Sequence, residues 1–543
     1  MKVVYISDFL YKDVQGGAEL NDHILCASLS ASCDLIKIYS YHTESIKTFL
    51  NKGNFFIISN FTLMNEDVKK SLCRERYIIY EHDHKYIKSR DPALYVNYKA
   101  EDREIINKEF YNNALAVFCQ SIYQSRIMYR NVQNENIYNV SGNFWDDETL
   151  DLLLSFSKKE KKEQFFILKS QNQNKNTTGA VNYCKKTNLK YHLSQKVQYH
   201  SFLEEMSESD KFLFLPKTPE TLARVCVEAK IMGVKVHTNS KVGASFEEWF
   251  AFSGVEIVRY LKDLKERVTA DILKLVNGKE IKYCSLDALK PEKVSIITSM
   301  FKGEEYVEKF LKNITEQTVF DEQCELIIVD ANSPQNEYEI IKKYLNKHSN
   351  IKYFKLKEDP GIYGCWNYAI KKAKYKLITN ANLDDLRDKR HIEKLSTFML
   401  DNPWCDLVYP SCYVSKRRLE QYDIEKIGSD IYPVKSFTKQ NMIKCLPGCM
   451  PLWRKQMHTD HGLFNDFYNY AGDHEMWLRA VRGGSKFFKF PQALGAYFMN
   501  PNGLSTSKEK SLERFEEERR VFWEYSDVFG LEETNKYRNY FSR

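Results

Sequence analysis

The sequence has no apolar run that approaches the roughly 20 residues a membrane-spanning helix needs. Its most apolar stretches, such as Phe165–Leu168 and Lys211–Pro216, have the length of buried strands instead. The first residues, Met1–Asp8, lack the basic start, apolar segment and small-residue cleavage site of a secretory signal. These absences predict a cytoplasmic protein, and contact with the inner face of a membrane stays open as a peripheral arrangement.

Two further features are missing. The 13 cysteines show no paired CxxC spacing, and no second ligand pair follows Cys445 and Cys449, so the pattern favours reduced thiols over a disulfide framework or a zinc site. The net charge of +7 is spread along the chain and forms no basic stripe interleaved with aromatics. We therefore expect no nucleic-acid partner.

What the sequence does contain, in 543 residues with 43% hydrophobic content, is an alternation of short apolar runs with helix-period segments. This alternation predicts an α/β protein with parallel sheets flanked by helices. The predicted strands fall into three sets. The first set comprises Val3–Ser7, Leu35–Tyr39, Phe55–Ser59, Tyr77–Tyr80 and Ala116–Cys119; the second comprises Phe165–Leu168, Phe212–Leu215, Val234–His237 and Val255–Val258; the third comprises Val294–Thr298, Leu326–Val329, Lys352–Lys355 and Lys376–Thr379.

A chain of this length splits into several domains. The first two sets predict a pair of Rossmann-like lobes, residues 1–145 and 146–280. The third set predicts an independent α/β domain over residues 291–543 that ends in a charged amphipathic helix, Lys508–Tyr525.

In the third set, polar and acidic residues follow strands in a regular order. Thr298 and Asp330 end neighbouring strands, and ligands in open α/β sheets bind beyond such ends. Asp384 and Asp385 follow a later strand, where hard carboxylate oxygens can hold a divalent ion against a diphosphate. Asp473 opens a helix and is a candidate general base.

These pieces together resemble the family-2 glycosyltransferases with the GT-A fold. The resemblance implies a nucleotide-sugar donor, a UDP-sugar, bound at Thr298 and Asp330. Where that family has an Asp-x-Asp motif, this sequence begins with Asn382, so Asp384 is the expected main ligand of Mn²⁺ or Mg²⁺ and Asp385 a second one.

The resemblance also implies roles further along. Asp473 would deprotonate the acceptor hydroxyl with inversion of configuration, although Gly472 replaces the acid that usually precedes it. Trp453 and Arg454 would line the acceptor side. A nucleotidyltransferase, the competing use of a carboxylate at a sheet end, normally has a glycine-rich basic loop that Phe301–Glu304 matches poorly.

The first half carries a sparser set of features. A Gly16–Gly17 turn opens a helix after the first strand, an arrangement that favours anions. His82 ends a later strand, where a structural histidine or a metal pair with His84 are competing interpretations. Glu220 and Glu228 lie eight positions apart before the strand Val234–His237.

This half resembles the family-4 glycosyltransferases with the two-lobed GT-B fold. The resemblance implies that Gly17 and His82 line the cleft, that Glu220 lies near the donor sugar and that Glu228 binds the donor ribose. The expected diphosphate contacts are Lys169 and Lys175, which would make this half metal-independent and retaining.

The leading hypothesis is therefore a bifunctional enzyme that adds two sugars to a surface glycan, a polysaccharide or a glycolipid of the lipopolysaccharide type. Two alternatives stay open: the first half is a glycan-binding or scaffold module, or the whole chain is a processive polymerase.

Overall fold

The computed structural model describes residues 2–14, 16–196, 198–419, 421–423, 427, 430–432, 434–501, 503–504 and 506–542. The chain divides into two compact units, Met1–Lys290 (unit 1) and Pro291–Arg543 (unit 2). Parallel strands alternate with helices in both, so the predicted α/β class is confirmed. The predicted subdivision of unit 1 into two lobes stays a prediction.

Unit 1 contains two parallel sheets. The first is built from β1 (Val3–Ser7), β2 (Leu35–Tyr39), β3 (Phe55–Ile58), β4 (Arg76–Glu81), β5 (Ala116–Cys119) and β6 (Ile137–Asn139) in the order β2-β1-β3-β4-β5-β6. The second is built from β7 (Lys162–Ile167), β8 (Tyr191–Leu193), β9 (Ser209–Phe214) and β10 (Lys235–Thr238) in the order β10-β9-β7-β8. Central strands such as β3 are buried throughout, because helices cover both faces of a parallel sheet.

The helices of unit 1 are α1 (Gly17–Ser30), α2 (Thr43–Lys47), α3 (Glu66–Leu72), α4 (Lys108–Asn112), α5 (Ile122–Val132), α6 (Asp147–Phe156), α7 (Thr177–Lys186), α8 (Tyr199–Ser207), α9 (Arg224–Ile231), α10 (Val255–Val276) and α11 (Leu286–Leu289). The chain after α10 returns to the first sheet, where Leu289 joins the core around β3 and β4. Short 3₁₀ turns occur at Pro92–Leu94, Val96–Tyr98, Asp102–Glu104, Gln173–Lys175, Gly243–Phe246 and Glu248–Ala251.

The predicted strand Val255–Val258 was wrong, because these residues begin α10. The β-branched residues suggested a strand when taken alone. The apolar period continues, however, through Leu261, Leu264 and Val268, which are all buried, and this spacing of three to four residues makes one continuous helical face.

Unit 2 contains one mixed sheet. Its strands are β11 (Val294–Met300), β12 (Cys324–Asp330), β13 (Ile351–Lys355), β14 (Leu377–Asn380), β15 (Leu386–Arg387), β16 (Leu407–Ser415), β17 (Leu452–Arg454) and β18 (Phe487–Phe498), in the order β13-β12-β11-β14-β17-β16-β18-β15. The four strands from β13 to β14 are parallel, and β17 runs antiparallel to both β14 and β16. The parallel part places the carboxyl ends of β11, β12 and β14 at one edge.

The helices of unit 2 are α12 (Glu304–Thr315), α13 (Phe320–Gln323), α14 (Glu337–Leu345), α15 (Gly361–Lys372), α16 (His391–Asp401), α17 (Gln456–His461), α18 (Gly472–Arg482), α19 (Ser511–Glu524), α20 (Ser526–Phe529) and α21 (Leu531–Phe541), with a 3₁₀ turn at Gln440–Ile443. The predicted amphipathic helix Lys508–Tyr525 is present as α19, and its Val521 and Phe522 are buried against the core that contains α18. Within the described ranges, the helices are all too short or too polar to cross a membrane.

Candidate active site

The edge of the unit 2 sheet holds Asp330 as expected from its position at the end of β12. Its carboxylate accepts hydrogen bonds from the Ser333 backbone N–H, at 2.7 Å, and from the Tyr353 hydroxyl. Asp330 is only 2% exposed, so both bonds hold the carboxylate in a defined orientation at the sheet edge.

Thr298 lies deeper. It pairs with Ile328 in the parallel register, two positions before the end of both strands, and it is fully buried. The structure therefore places Asp330 at the edge of the sheet and Thr298 beneath that edge.

The acidic residues after β14 form a second cluster at the same end of the sheet. Asn382 donates its side-chain amide to Asp385 Oδ2 at 3.0 Å, and the Phe498 N–H donates to Asp385 Oδ1 at 3.1 Å. Asn500 donates to Asp384 Oδ2 at 3.0 Å. Thus Asn382, the departure from the Asp-x-Asp pattern, orients Asp385.

The charged form of Asp385 is unfavourable in this cluster. Burial, followed by the neighbouring charge of Asp384, raises the pKa of Asp385 to about 7. Arg387 only partly offsets this effect, and a cation near the two adjacent carboxylates would further favour their charged forms. Both Asp385 oxygens already accept hydrogen bonds from the protein, which leaves the half-buried Asp384 better placed to bind one.

These residues fit a divalent ion only as a partial ligand set. In the part of the chain that the structure describes, no group of three or more His, Cys, Asp or Glu side chains is arranged to hold a metal by itself. Mg²⁺ is commonly bound through one or two carboxylates that are completed by substrate phosphates and water. The Asp384–Asp385 pair suits this type of site and does not suit a closed structural metal site.

Asp473 is the second residue of α18, and neighbours on two other segments contact its carboxylate. Tyr363 on α15 donates its hydroxyl to Asp473 Oδ1 at 3.1 Å, and the His474 N–H donates to the same oxygen at 2.8 Å. The Cys445 thiol lies 3.6 Å from Oδ2. Burial raises the pKa of Asp473 despite the opposing effects of these neighbours. A carboxylate with a raised pKa is a stronger base than an exposed aspartate.

The structure also explains Gly472, which stands where an acid was expected. A Cβ atom built on Gly472 would lie 2.7 Å from the ring of Tyr363. The hydroxyl of Tyr363 is also hydrogen bonded to Asp473. Glycine at position 472 therefore lets the Tyr363 ring come close enough to make this bond.

A chain of contacts connects the acidic cluster with Asp473. Asn380, at the end of β14, donates to the Cys449 carbonyl at 3.3 Å, and Thr379 donates to the Pro451 carbonyl at 2.7 Å. The same loop carries Cys445, which contacts Asp473. On the other side, α15 carries Tyr363 and packs against β11 and β12. The structure thus brings together the surroundings of Asp330, Asp384 and Asp473.

Trp453 and Arg454 lie away from this edge. Trp453 is fully buried, and its indole N–H donates to His458 Nε2 at 2.9 Å. Arg454 donates to the backbone carbonyls of Cys405 and Met399. Both side chains therefore make their hydrogen bonds inside unit 2, because β17 is an interior strand between β14 and β16.

In unit 1, His82 lies in a buried hydrogen-bond network. Its Nε2 lies 2.7 Å from Asp22 Oδ1, and Gln120 donates to its Nδ1 at 2.7 Å. Asp22 also accepts from the hydroxyls of Tyr5 and Ser59. Burial opposes ionisation of Asp22, but His82 and these hydroxyls outweigh burial and lower its pKa. In this arrangement His82 is oriented by a carboxylate on α1.

Gly17 begins α1 next to the second sheet's elements. A Cβ on Gly17 would lie 3.4 Å from the Arg224 side chain at the start of α9. Arg224 in turn stacks 4.0 Å above the Trp145 ring and donates to the Phe144 carbonyl. Gly17 thus allows a basic side chain to approach the amino end of α1.

The remaining predicted residues of unit 1 separate into two groups. Lys175 donates to both oxygens of Glu220, at 2.9 and 2.7 Å, in a partly exposed ion pair, and Lys169 is exposed at the end of β7. Glu228, in contrast, is 2% exposed, and its Oε1 accepts from Trp145 Nε1 at 3.0 Å and from the Tyr199 hydroxyl at 2.6 Å. Glu228 is thus hydrogen bonded within the core, whereas Lys175 and Glu220 form a separate, partly exposed ion pair.

Sequence reasoning did not select Tyr363, Asn500 or Asp22, which contact the candidate residues directly. Each comes from a distant part of the chain, 110, 116 and 60 positions from its partner. A local motif contains no signal for such contacts.

The edge of the unit 2 sheet, with ordered carboxylates and the half-buried Asp473 of raised pKa, defines a candidate transferase site of the nucleotide-binding α/β class. Comparison with known proteins gives a family match for part of unit 2. Residues 295–462 match the family described as "Glycosyl transferase family 2". Unit 2 therefore contains a family 2 glycosyltransferase domain, and Asp473 lies beyond the matched residues.

Curated relatives match parts of the chain. An uncharacterized glycosyltransferase of Rickettsia typhi is 27% identical over 206 residues, which cover 36% of this chain and 60% of the relative. The protein named "Putative teichuronic acid biosynthesis glycosyltransferase TuaG" of Bacillus subtilis is 23% identical over 224 residues, 41% of this chain and 84% of the relative. The chain thus spans less than two thirds of the length of the Rickettsia relative.

Solved structures show a partial likeness. The structure of S. aureus TarS is 20% identical, covers 42% of this chain and 38% of that chain, and has a TM-score of 0.34. The mannosyltransferase PcManGT from Pyrobaculum calidifontis, in complex with GDP-Man and Mn²⁺, is 15% identical, covers 43% of this chain and 64% of that chain, and has a TM-score of 0.35.

Proposed function

We propose that unit 2 transfers a sugar from a nucleotide-sugar donor, a UDP-sugar, to a hydroxyl group of a glycan acceptor. The observation that carries the proposal is Asp473, a carboxylate of raised pKa held at the start of α18 by Tyr363 and His474. Proton removal from the acceptor hydroxyl is the step such a base performs. Attack by that hydroxyl on the anomeric carbon, opposite the leaving nucleoside diphosphate, inverts the configuration.

The donor would lie along the sheet edge, with Asp330 as its nucleotide contact. Thr298, which is buried beneath that edge, would form the bottom of the nucleotide site. Asp384 would hold Mn²⁺ or Mg²⁺, with Asp385 beside it. The ion would supply positive charge to the diphosphate as it leaves. Asn382 would contribute by orienting Asp385, with which it is hydrogen bonded. The acceptor side no longer includes Trp453 or Arg454, because both side chains are committed within the unit.

The acceptor is proposed to be a surface polysaccharide or a related glycolipid. Support comes from curated relatives named for teichuronic acid and minor teichoic acid biosynthesis in Bacillus subtilis.

For unit 1, we propose a second, metal-independent transferase of the two-lobed type with retention of configuration. Its support is the Lys175–Glu220 ion pair and the exposed Lys169, which follow the carboxyl ends of β7 and β9, where lysines could bind a diphosphate. Gly17 approaches Arg224 at the start of α9, and Thr221, which precedes α9, donates to the His82 backbone carbonyl. If unit 1 is instead a glycan-binding module, it releases no nucleotide from any donor.

The experiment is a panel of nucleotide sugars with the full chain, in Mn²⁺ or in chelator, for the wild type, Asp473→Asn and Lys175→Met. Manganese-dependent turnover that only Asp473→Asn removes, together with chelator-resistant turnover of another donor that only Lys175→Met removes, is the expected result. A single manganese-dependent activity would leave unit 1 as a binding module. Turnover unchanged in both variants would overturn both assignments.

A further inference from the structure

The segment directly before α18 is held by a carboxylate from the carboxyl-terminal helices. Glu517 on α19 accepts hydrogen bonds from three consecutive backbone N–H groups: Asn469 at 2.8 Å to Oε1, and Tyr470 at 2.7 Å and Ala471 at 2.9 Å to Oε2. One side chain thereby satisfies the N–H groups of residues 469–471.

This arrangement has a clear physical basis. N–H groups at the start of a helix have no partner within the helix, and the helix dipole favours negative charge there. Hydrogen bonds to an ionised acceptor are also stronger than neutral ones. Glu517 therefore fixes the entry into α18 more firmly than an ordinary loop contact would.

A second helix, α15, also contacts residues 469–471. The Tyr363 hydroxyl on α15 lies 3.1 Å from the Tyr470 carbonyl and 3.1 Å from Asp473 Oδ1, so its single proton is shared between these two acceptors. Tyr470 additionally donates its own hydroxyl to Glu513 at 2.7 Å. Residues 469–471 are thus clamped between α15 and α19, two residues before the candidate base.

The carboxyl-terminal helices contact α18 itself as well. Tyr525 donates to Glu475 Oε1 at 2.6 Å, and Arg482 pairs with Asp527 on α20. All these residues lie beyond residue 462, where the family match ends. The contacts that Glu517, Tyr525 and Asp527 make with α18 and the segment before it therefore belong to a part of this chain for which the family match supplies no role.

We propose that Glu517 is a positioning residue for the transfer reaction of unit 2. Through the 469–471 backbone it fixes the start of α18 and so the direction of the Asp473 carboxylate toward the acceptor hydroxyl. The inference rests on the proposed function of unit 2. It predicts that loss of Glu517 lowers the rate of transfer and leaves donor binding intact, because the donor contacts lie on β12 and after β14.

The test compares Glu517→Gln with the matched control Glu516→Gln in the full chain. A glutamine has one accepting oxygen and an amide that donates, so it cannot satisfy all three N–H groups. Glu516 is on the same helix, is exposed and forms a surface ion pair with Arg519 one turn away, so its loss should be nearly silent. Glu517→Asp keeps the charge on a shorter arm and serves as the conservative variant.

We expect Glu517→Gln to lower kcat at least about tenfold with the donor KM within about twofold of wild type, since small misplacements of a reacting group are costly. Amide hydrogen exchange at residues 469–471 should rise at least about tenfold, while exchange in β11 and β12 stays unchanged. Glu517→Asp should lie between Glu517→Gln and wild type in both measurements.

Three results would overturn the inference. Unchanged exchange at residues 469–471 in Glu517→Gln would show that the carboxylate does not order the segment, whatever the activity. Raised exchange with unchanged kcat would show that order there does not serve catalysis. Equal losses in Glu516→Gln would indicate a general effect on α19. A wild-type chain that binds nucleotide sugars but transfers none would instead refute the proposed function, and this inference with it.

Discussion

Two carboxylates on helices have different surroundings in the two units. Asp473 in unit 2 is half-buried and has a raised pKa. Its Oδ1 accepts hydrogen bonds from Tyr363 and the His474 N–H, and its Oδ2 lies beside the Cys445 thiol. Glu228 in unit 1 is fully enclosed, with Trp145 and Tyr199 donating to one oxygen. An acidic residue at a spacing typical of a family can therefore be either a reactive group or a hydrogen-bond acceptor in the core, and its surroundings decide which.

The largest effect that separates the two is expected from Asp473→Asn. The amide cannot accept a proton, so manganese-dependent kcat should fall by about 10²–10⁴-fold while donor binding persists. Steady-state kinetics and equilibrium donor binding measure the two parts. Normal turnover in this variant would place the base elsewhere and remove the contrast with Glu228.

A second large effect is expected from Asp384→Asn. If Asp384 is the main metal ligand, the variant should lose about 10–100-fold in activity at limiting Mn²⁺, with partial recovery at high Mn²⁺. Asp321→Asn is a suitable control, because that side chain is 77% exposed and pairs with His348 on the surface of unit 2. The same manganese dependence in Asp384→Asn and wild type would contradict the assignment.

Glu228→Ala should change stability and not chemistry. Removing the acceptor leaves the buried Trp145 N–H and Tyr199 hydroxyl unpaired, which costs about 1–3 kcal/mol for each group. Urea unfolding followed by a probe in unit 1 measures the loss, with the partly exposed Glu220→Ala as the comparison. If unit 1 turnover disappears while its stability stays at the wild-type level, Glu228 contacts substrate and the distinction between the two carboxylates fails.

The smallest effect concerns pH. Because burial raises the pKa of Asp473, kcat should fall as the pH drops through a value above the ordinary aspartate pKa of about 3.9. The Tyr363 hydroxyl bond lowers the pKa of Asp473, so Tyr363→Phe should move the acid limb of the pH profile to higher pH. His474 and Cys445 also face Asp473 and are kept in both proteins. A limb that moves to lower pH would show that Tyr363 does not stabilise the carboxylate.

Much of the fold could be predicted from the sequence, since buried parallel strands such as β11 and β12 appear as short apolar runs. The strand prediction at Val255 failed because four β-branched or acidic residues were taken without the longer helical period that follows them. Local pattern thus identified strands reliably where flanking polar residues bounded them.

The candidate site was less accessible to such reasoning. Asp330 and Asp384 are predictable because the ends of parallel strands meet at one edge. The burial of Trp453 was not, because it depends on β17 lying between β14 and β16 in a mixed sheet. Likewise the contacts of Glu517 with residues 469–471 join positions 46 to 48 apart, and no local spacing indicates them.

The role of Asp473 is tested most directly by the anomeric configuration of the manganese-dependent product, determined by proton NMR on the first sugar that the 543-residue chain transfers. A single base at Asp473 that activates an acceptor hydroxyl predicts a configuration opposite to that of the nucleotide-sugar donor. A product with the donor's configuration, lost in Asp473→Asn, would contradict direct displacement and with it the role proposed for Asp473.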